Sequence, residues 1–146
     1  MTFSLVSNTS PLALFAARLV QARQLRGLSQ RALGDRMGLG KTTGSTRINR
    51  YEQQTSAGSF ESLGELAEAL QVPAAYLLAD SAPMADAILE LGKADDQQQA
   101  KFALLLQGLN ADPAMVKALL KLLELPKRER DKARKALLAS LDKPTP

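Results

Sequence analysis

The 146-residue sequence predicts an all-α chain, with five short helices over residues 11–79 and a Leu-rich helical segment after them. Three observations carry this. Apolar residues recur at helical spacing in every periodic stretch, and no stretch alternates with the two-residue period of a half-buried strand. Ser-Pro and Asp-Pro pairs and single glycines stand where helices start and stop. The composition also shifts after Asp80-Ser81-Ala82-Pro83: eight of the eleven cations beyond it are Lys, Leu dominates and the one aromatic is Phe102. The expected organisation is therefore a first domain at 11–79, a linker at 80–83 and a second segment at 84–142.

Ser10-Pro11 opens the first helix. Ser supplies an N-cap acceptor, and Pro presets φ where the N–H has no helical partner in any case. Leu12, Phe15, Ala16, Leu19 and Ala22 form its stripe, and Gly27 ends it. Ser29 caps a second helix running to Met37, with Leu33 and Met37 four apart on its buried side and Gly38 placed for a left-handed stop. After a polar stretch at 40–46, a third helix carries Ile48 and Tyr51. Residues 53–59 are small and polar and read as a loop. Ser59 or Ser62 caps the fourth helix, whose inner stripe is Leu63, Leu66, Ala67 and Leu70. Val72-Pro73 then turns the chain into a fifth, with Tyr76, Leu77 and Leu78; Tyr51 and Tyr76 both fall on buried stripes. Beyond the linker, helices are expected over 84–91, 97–109, 113–125 and 128–141. The third of these has the sharpest ends, with Asp112 as N-cap, Pro113 in the first position and Leu125-Pro126 as the stop.

The chain contains no Cys, His or Trp. That excludes disulfides, zinc sites of the usual N/S type, Cys or His nucleophiles and imidazole bases, and it argues against an enzyme. No catalytic residue, metal site or cofactor is expected; Asp95-Asp96 and Asp112 lack metal-loop spacing and read as caps. The apolar run 12–20 is short and broken by Arg18, and the N-terminus lacks the positive region of a secretory signal, so the expected compartment is the cytoplasm.

The net charge of +4 hides an uneven distribution. Residues 18–50 hold eight cations, seven of them Arg, against Asp35 alone, a block of +7; residues 51–80 hold five acids and no base. Guanidinium forks match phosphate oxygens in pairs, so the basic block suits a surface that meets phosphate. It equally suits a solvated face whose partners lie in the acidic block, and charge alone leaves both readings open.

Two short helices joined by a Gly-containing turn, with an aromatic and an acid closing the helix that follows, make a helix-turn-helix pattern. The run Arg23-Gln24-Leu25-Arg26-Gly27-Leu28-Ser29-Gln30-Arg31-Ala32-Leu33-Gly34, then Gly38-Leu39, Arg47-Ile48-Asn49-Arg50-Tyr51-Glu52 and Leu66-Ala67-Glu68-Ala69-Leu70-Gln71-Val72-Pro73, closely resembles the Cro/CI (XRE) family of bacterial and phage transcription regulators. The resemblance covers about residues 15–79 and implies a five-helix lambda-repressor-like DNA-binding domain. It also implies roles. Gln30 matches the family's phosphate-contacting Gln, and the recognition helix begins near Ser45. Ser45, Thr46 and Asn49 lie on that helix's outer face, within reach of base edges; Asn can bond adenine in two places. Arg47 and Arg50 read a guanine or hold the backbone, and Arg31 joins the DNA-facing set. Arg23 and Glu52 match a structural pair linking the first helix to the end of the recognition helix.

One feature departs from the family. Nine residues separate Gly38 from the core Ile48, several more than the usual turn and helix start, with the surplus near Lys41-Thr42-Thr43-Gly44. The insertion is either an extended turn whose Lys41 and Thr43 touch phosphate or a surface loop without contacts. Its Gly38-Leu39-Gly40-Lys41-Thr42 imitates the end of a phosphate-binding P-loop, but the glycine that pattern needs is replaced by Asp35 and no strand precedes it.

The tail has broad apolar faces on a piece too small to bury them itself. Phe102, Leu105, Leu106, Leu109, Val116, Leu119, Leu120 and Leu123 are the expected dimerisation residues. The charged run 127–135 alternates in sign and reads as a solvated helix face. The expected function is sequence-specific binding of double-stranded DNA, at a pseudo-palindromic operator, by a homodimeric transcriptional repressor of phage or prophage type that reads the major groove with the helix around residues 45–51. The alternative is an interaction module whose tail grips a protein partner such as an antirepressor or a toxin. No membrane partner is expected.

Overall fold

The computed structural model describes residues 10–40 and 43–142. They form α1 (Pro11–Leu25), α2 (Gln30–Arg36), α3 (Thr43–Glu52), α4 (Phe60–Leu70), a 3₁₀ helix (Ala74–Leu78), α5 (Ala82–Leu91), α6 (Asp96–Ala111), α7 (Pro113–Glu124) and α8 (Lys127–Leu141), with no strand among the described residues. The chain divides into two compact units, residues 1–95 and 96–146.

The first unit is closed by local chemistry at nearly every helix end. Ser10, Ser29 and Ser59 each accept a hydrogen bond from the backbone N–H three residues on, as their N-cap positions require. Gly27 and Gly38 end α1 and α2 with φ of +63° and +69°, a conformation that Gly adopts without steric cost. The stripes these caps align converge on one core. Phe15, Leu19 and Ala22 of α1 meet Leu33 of α2, Ile48 and Tyr51 of α3, Leu66 and Leu70 of α4, and Tyr76 and Leu77 of the 3₁₀ helix. Phe15 and Tyr51 pack edge to face with centroids 6.1 Å apart. Leu19, Leu33, Ile48, Leu66, Leu70 and Leu77 are fully buried, each worth about 1.5–3 kcal/mol of transfer free energy.

The third helix starts earlier than expected. It begins at Thr43 rather than near Ser45, and the Gly44 N–H already donates to the Gly40 carbonyl at 3.0 Å, so half of the surplus extends α3 by two residues, about half a turn. The reason is a glycine on each side of the crossing. A Cβ placed on Gly34 would lie 2.6 Å from Gly44 Cα, and one placed on Gly44 would lie 2.9 Å from Gly34 Cα. Any larger residue on either helix would push the new start of α3 off α2. Lys41, expected to touch phosphate, and Thr42 lie outside the described residues.

The expected linker at 80–83 falls inside the first unit. Ser81 caps α5, accepting from the Met84 N–H at 3.3 Å, and Ala85 is buried with Ile88 and Leu89 packed against the same core. Gly92, just past α5, sits so close to Pro73 that a Cβ would lie 2.5 Å from the Pro73 ring. A Ser-Ala-Pro sequence marks a helix start as readily as a linker; here it is a helix start, and the compact unit ends at Asp95.

In the second unit Asp112 caps α7, accepting from the Ala114 and Met115 N–H groups at 3.0 and 3.1 Å. None of its three helices has a buried residue.

Gly44→Ala tests the helix crossing. In an open helix interior the change from Gly to Ala stabilises by up to about 1 kcal/mol, whereas here overpacking costs about 1–3 kcal/mol. Chemical denaturation is expected to show Gly44→Ala destabilised and Gly64→Ala stabilised, since a Cβ on Gly64 in α4 meets nothing within 4 Å.

Candidate nucleic-acid interface

The elements around α3 are tied by one carboxylate. Glu52, at the C-terminal end of α3, accepts from Arg23 Nε at 2.6 Å and Nη2 at 3.1 Å, and from Gln30 Nε2 at 2.7 Å. Arg23 also donates through Nη1 to the Leu28 carbonyl at 2.8 Å, inside the α1–α2 turn. A forked guanidinium–carboxylate pair fixes direction as well as distance. The pair is shielded, with the Arg23 and Glu52 side chains 16% and 5% exposed, so water weakens it less than a surface ion pair. One acid thus sets the ends of α1 and α3 and the start of α2.

With Gly44, Ile48 and Tyr51 facing the core, the opposite side of α3 is left to solvent. Thr43, Thr46, Asn49 and Arg50 are exposed there, and Ser45 is half-buried on the α2 side. Gln30 Nε2 also approaches Asn49 Oδ1 at 3.4 Å, which joins the start of α2 to the middle of this face. Arg31 is exposed one residue further along α2. Gln53 was not among the expected contacts, yet it is exposed and its N–H donates to the Asn49 carbonyl at 2.8 Å, continuing the helical path. Its seven-residue spacing from Thr46 was the available signal, masked by the loop character of the residues after it.

Arg47 stands apart from that face. Its Nε donates to the Tyr51 hydroxyl at 2.7 Å and its Nη2 to Ser62 Oγ at 2.7 Å, while its guanidinium carbon lies 5.7 Å from the Tyr51 ring centroid. The side chain leans over the flank of α3 toward α4, beside an open groove of about 550 Å³ lined by Thr43, Thr46, Arg47, Arg50, Tyr51 and Ser56.

Three of the eight cations in the basic block are spent on backbone carbonyls of other elements. Arg18, buried, donates to Ala79 O at 2.9 Å; Arg26 donates to Leu70 O and Gln71 O at 2.8 and 2.6 Å; Arg36 donates to Ala69 O at 3.3 Å. These carbonyls lie at the C-terminal ends of α4 and the 3₁₀ helix, where N–H partners run out. Of the five acids at 51–80, Glu52 is the one that holds an arginine among the described residues. The sequence-level choice between a phosphate-facing block and pairing with the acidic block therefore resolves into a third use for Arg18, Arg26 and Arg36.

The expected dimerisation residues lie on α6 and α7. Phe102, Leu105, Leu106, Leu120 and Leu123 are exposed, the last by 62%, and Leu109, Val116 and Leu119 are half-buried. Between the two helices runs an apolar groove of about 710 Å³ lined by Leu104, Leu105, Leu109, Met115 and Leu119.

A short helix laid across a second, more exposed one, with polar side chains along its outer stripe, defines a helix-turn-helix domain. Comparison with known proteins agrees: the helix-turn-helix family HTH_3 matches residues 19–77. The crystal structure of the transcriptional regulator BswR matches with 30% sequence identity and a TM-score of 0.59, over 66% of this chain and 96% of that one. No curated protein matches the chain. The chain belongs to the helix-turn-helix family, of the XRE type that its sequence resembles.

Glu52→Ala leaves a shielded guanidinium without its partner, which costs about 2–4 kcal/mol for a pair of this burial. Urea denaturation should place Glu52→Gln between Glu52→Ala and the parent, because the amide still accepts from Arg23.

Proposed function

We propose that the protein is a sequence-specific, double-stranded DNA-binding transcriptional regulator, a homodimeric repressor that lays the outer face of α3 in the major groove. The observation that carries this reading is the stripe of exposed polar side chains on a helix whose other side is locked into the core. Membership of the helix-turn-helix family and the likeness to a transcriptional regulator support it. From Thr43 to Gln53 the chain advances ten residue steps, about 15 Å along the axis, or roughly four base-pair steps. Asn49 bonds adenine N6 and N7 in a bidentate pair, Thr46 offers a hydroxyl and a methyl, and Ser45 and Gln53 lie at the two edges of the stripe. Arg31 and Lys41 hold backbone phosphates and fix register, while Gln30, expected to contact phosphate, has both side-chain N–H groups directed to Glu52 and Asn49 and orients Asn49 instead.

Dimerisation rests on the tail. Three helices without a single buried residue do not bury enough apolar surface to stand alone, and a second copy covering the α6–α7 face supplies it. A dimer sets two recognition helices about one turn of DNA apart, roughly 34–36 Å, on a pseudo-palindromic site. The same exposed face also favours a second reading, in which the tail holds an antirepressor or a toxin. Sedimentation of the full chain separates the two: a dimer that Leu119→Asp makes monomeric supports self-association, and a monomeric parent assigns the tail to another protein.

Selection from a random duplex pool should yield a two-fold symmetric motif. Asn49→Ala should lose about 1–3 kcal/mol of discrimination at one position in each half-site. Arg31→Gln should weaken all sequences evenly and flatten the salt dependence by about one phosphate per protomer.

A further inference from the structure

We infer that the groove beside α3 is a seat for one DNA backbone phosphodiester, with Arg47 as its fork, so that Arg47 holds the backbone and does not read a base. The inference rests on the DNA-binding reading above and assigns to one side chain a role that reading leaves open.

The geometry of Arg47 carries it. Both of its hydrogen-bonded partners, the Tyr51 and Ser62 hydroxyls, are neutral, and no carboxylate pairs with it among the described residues. Its positive charge is therefore oriented by two neutral hydroxyls and the Tyr51 ring face, with no acid paired to it among the described residues. Nε and one Nη2 hydrogen are used inside the protein, and Nη1 has no partner among the described residues. The position is built from two elements, since Tyr51 lies one turn along α3 and Ser62, 3% exposed, belongs to the first turn of α4. A guanidinium held this way cannot swing out to a base edge without breaking two bonds of 2.7 Å, and the Ser62 hydroxyl is too buried to turn to water instead.

The rest of the groove suits the same ligand. Arg50, also without an ion pair among the described residues, adds a second cation at its side, and Thr43 brings a hydroxyl from the extended start of α3. A phosphodiester offers one negative charge and two free oxygens, which match a guanidinium edge and a hydroxyl. The site flanks the proposed reading stripe, where the backbone passes when α3 occupies the major groove. The extended start of α3 gains a purpose here, because it carries Thr43 into the groove.

Methylphosphonate substitution along a selected operator tests the seat, one linkage at a time and with the parent protein first. A neutral linkage at the contacted position should cost about tenfold or more in affinity, the worth of a charge-assisted bond. Arg47→Gln should lose the same amount on the native duplex, lose nothing further at that linkage, and keep the parent's base preferences. Arg47→Lys should recover part of the loss. The inference is overturned if Arg47→Gln changes base preferences or if it stays sensitive at every linkage, the parent's contacted one included. No sequence preference in the parent would instead overturn the DNA-reading account itself.

Discussion

The domain depends on the Glu52 carboxylate. It lies at the C-terminal end of α3, where the helix dipole is negative and an acid is disfavoured, and it is 95% shielded from water, where an unpaired charge would be costly. Both penalties are offset by Arg23, whose fork reaches from α1 across the end of the motif. Gln30 adds a third bond from α2. Because the partners come from three helices, the carboxylate cannot be satisfied unless all three are in place, which couples the pose of α3 to the whole motif.

The face that α3 presents follows from that pose and from the Gly34–Gly44 crossing. The clamp fixes one end of the helix and the glycine contact the other, and Ile48 and Tyr51 bury the side between them. What remains outside is a polar stripe held in place from both ends of the helix. Preorganisation of this kind reduces the ordering cost of binding and leaves more of the contact energy as affinity.

Much of this was legible in the sequence because it is local. Ser10, Ser29 and Asp112 announce their helices through capping chemistry that acts over three residues, and the core stripes follow from helical period alone. The Arg23–Glu52 pair was accessible only through resemblance, since 29 residues separate its members. Three features were hidden for the same physical reason, that their partners lie in other elements. The start of α3 at Thr43 depends on a glycine in α2, the inward lean of Arg47 depends on Ser62 in α4, and the arginines at 18, 26 and 36 find carbonyls 33 to 61 residues away. Composition at 80–83 could not distinguish a linker from a capped helix, because Ser and Pro serve both.

Dimethyl sulfate interference on a bound duplex tests the central claim most directly, because the reagent marks guanine N7 in the major groove and adenine N3 in the minor groove. Interference is expected at guanine N7 in two patches about one helical turn apart on one face of the duplex, because a methyl group there keeps α3 out of the major groove, and Asn49→Ala should keep both patches while losing the preference for adenine at one position in each half-site. Interference confined to adenine N3, a single patch, or an unchanged adenine preference in Asn49→Ala would contradict this.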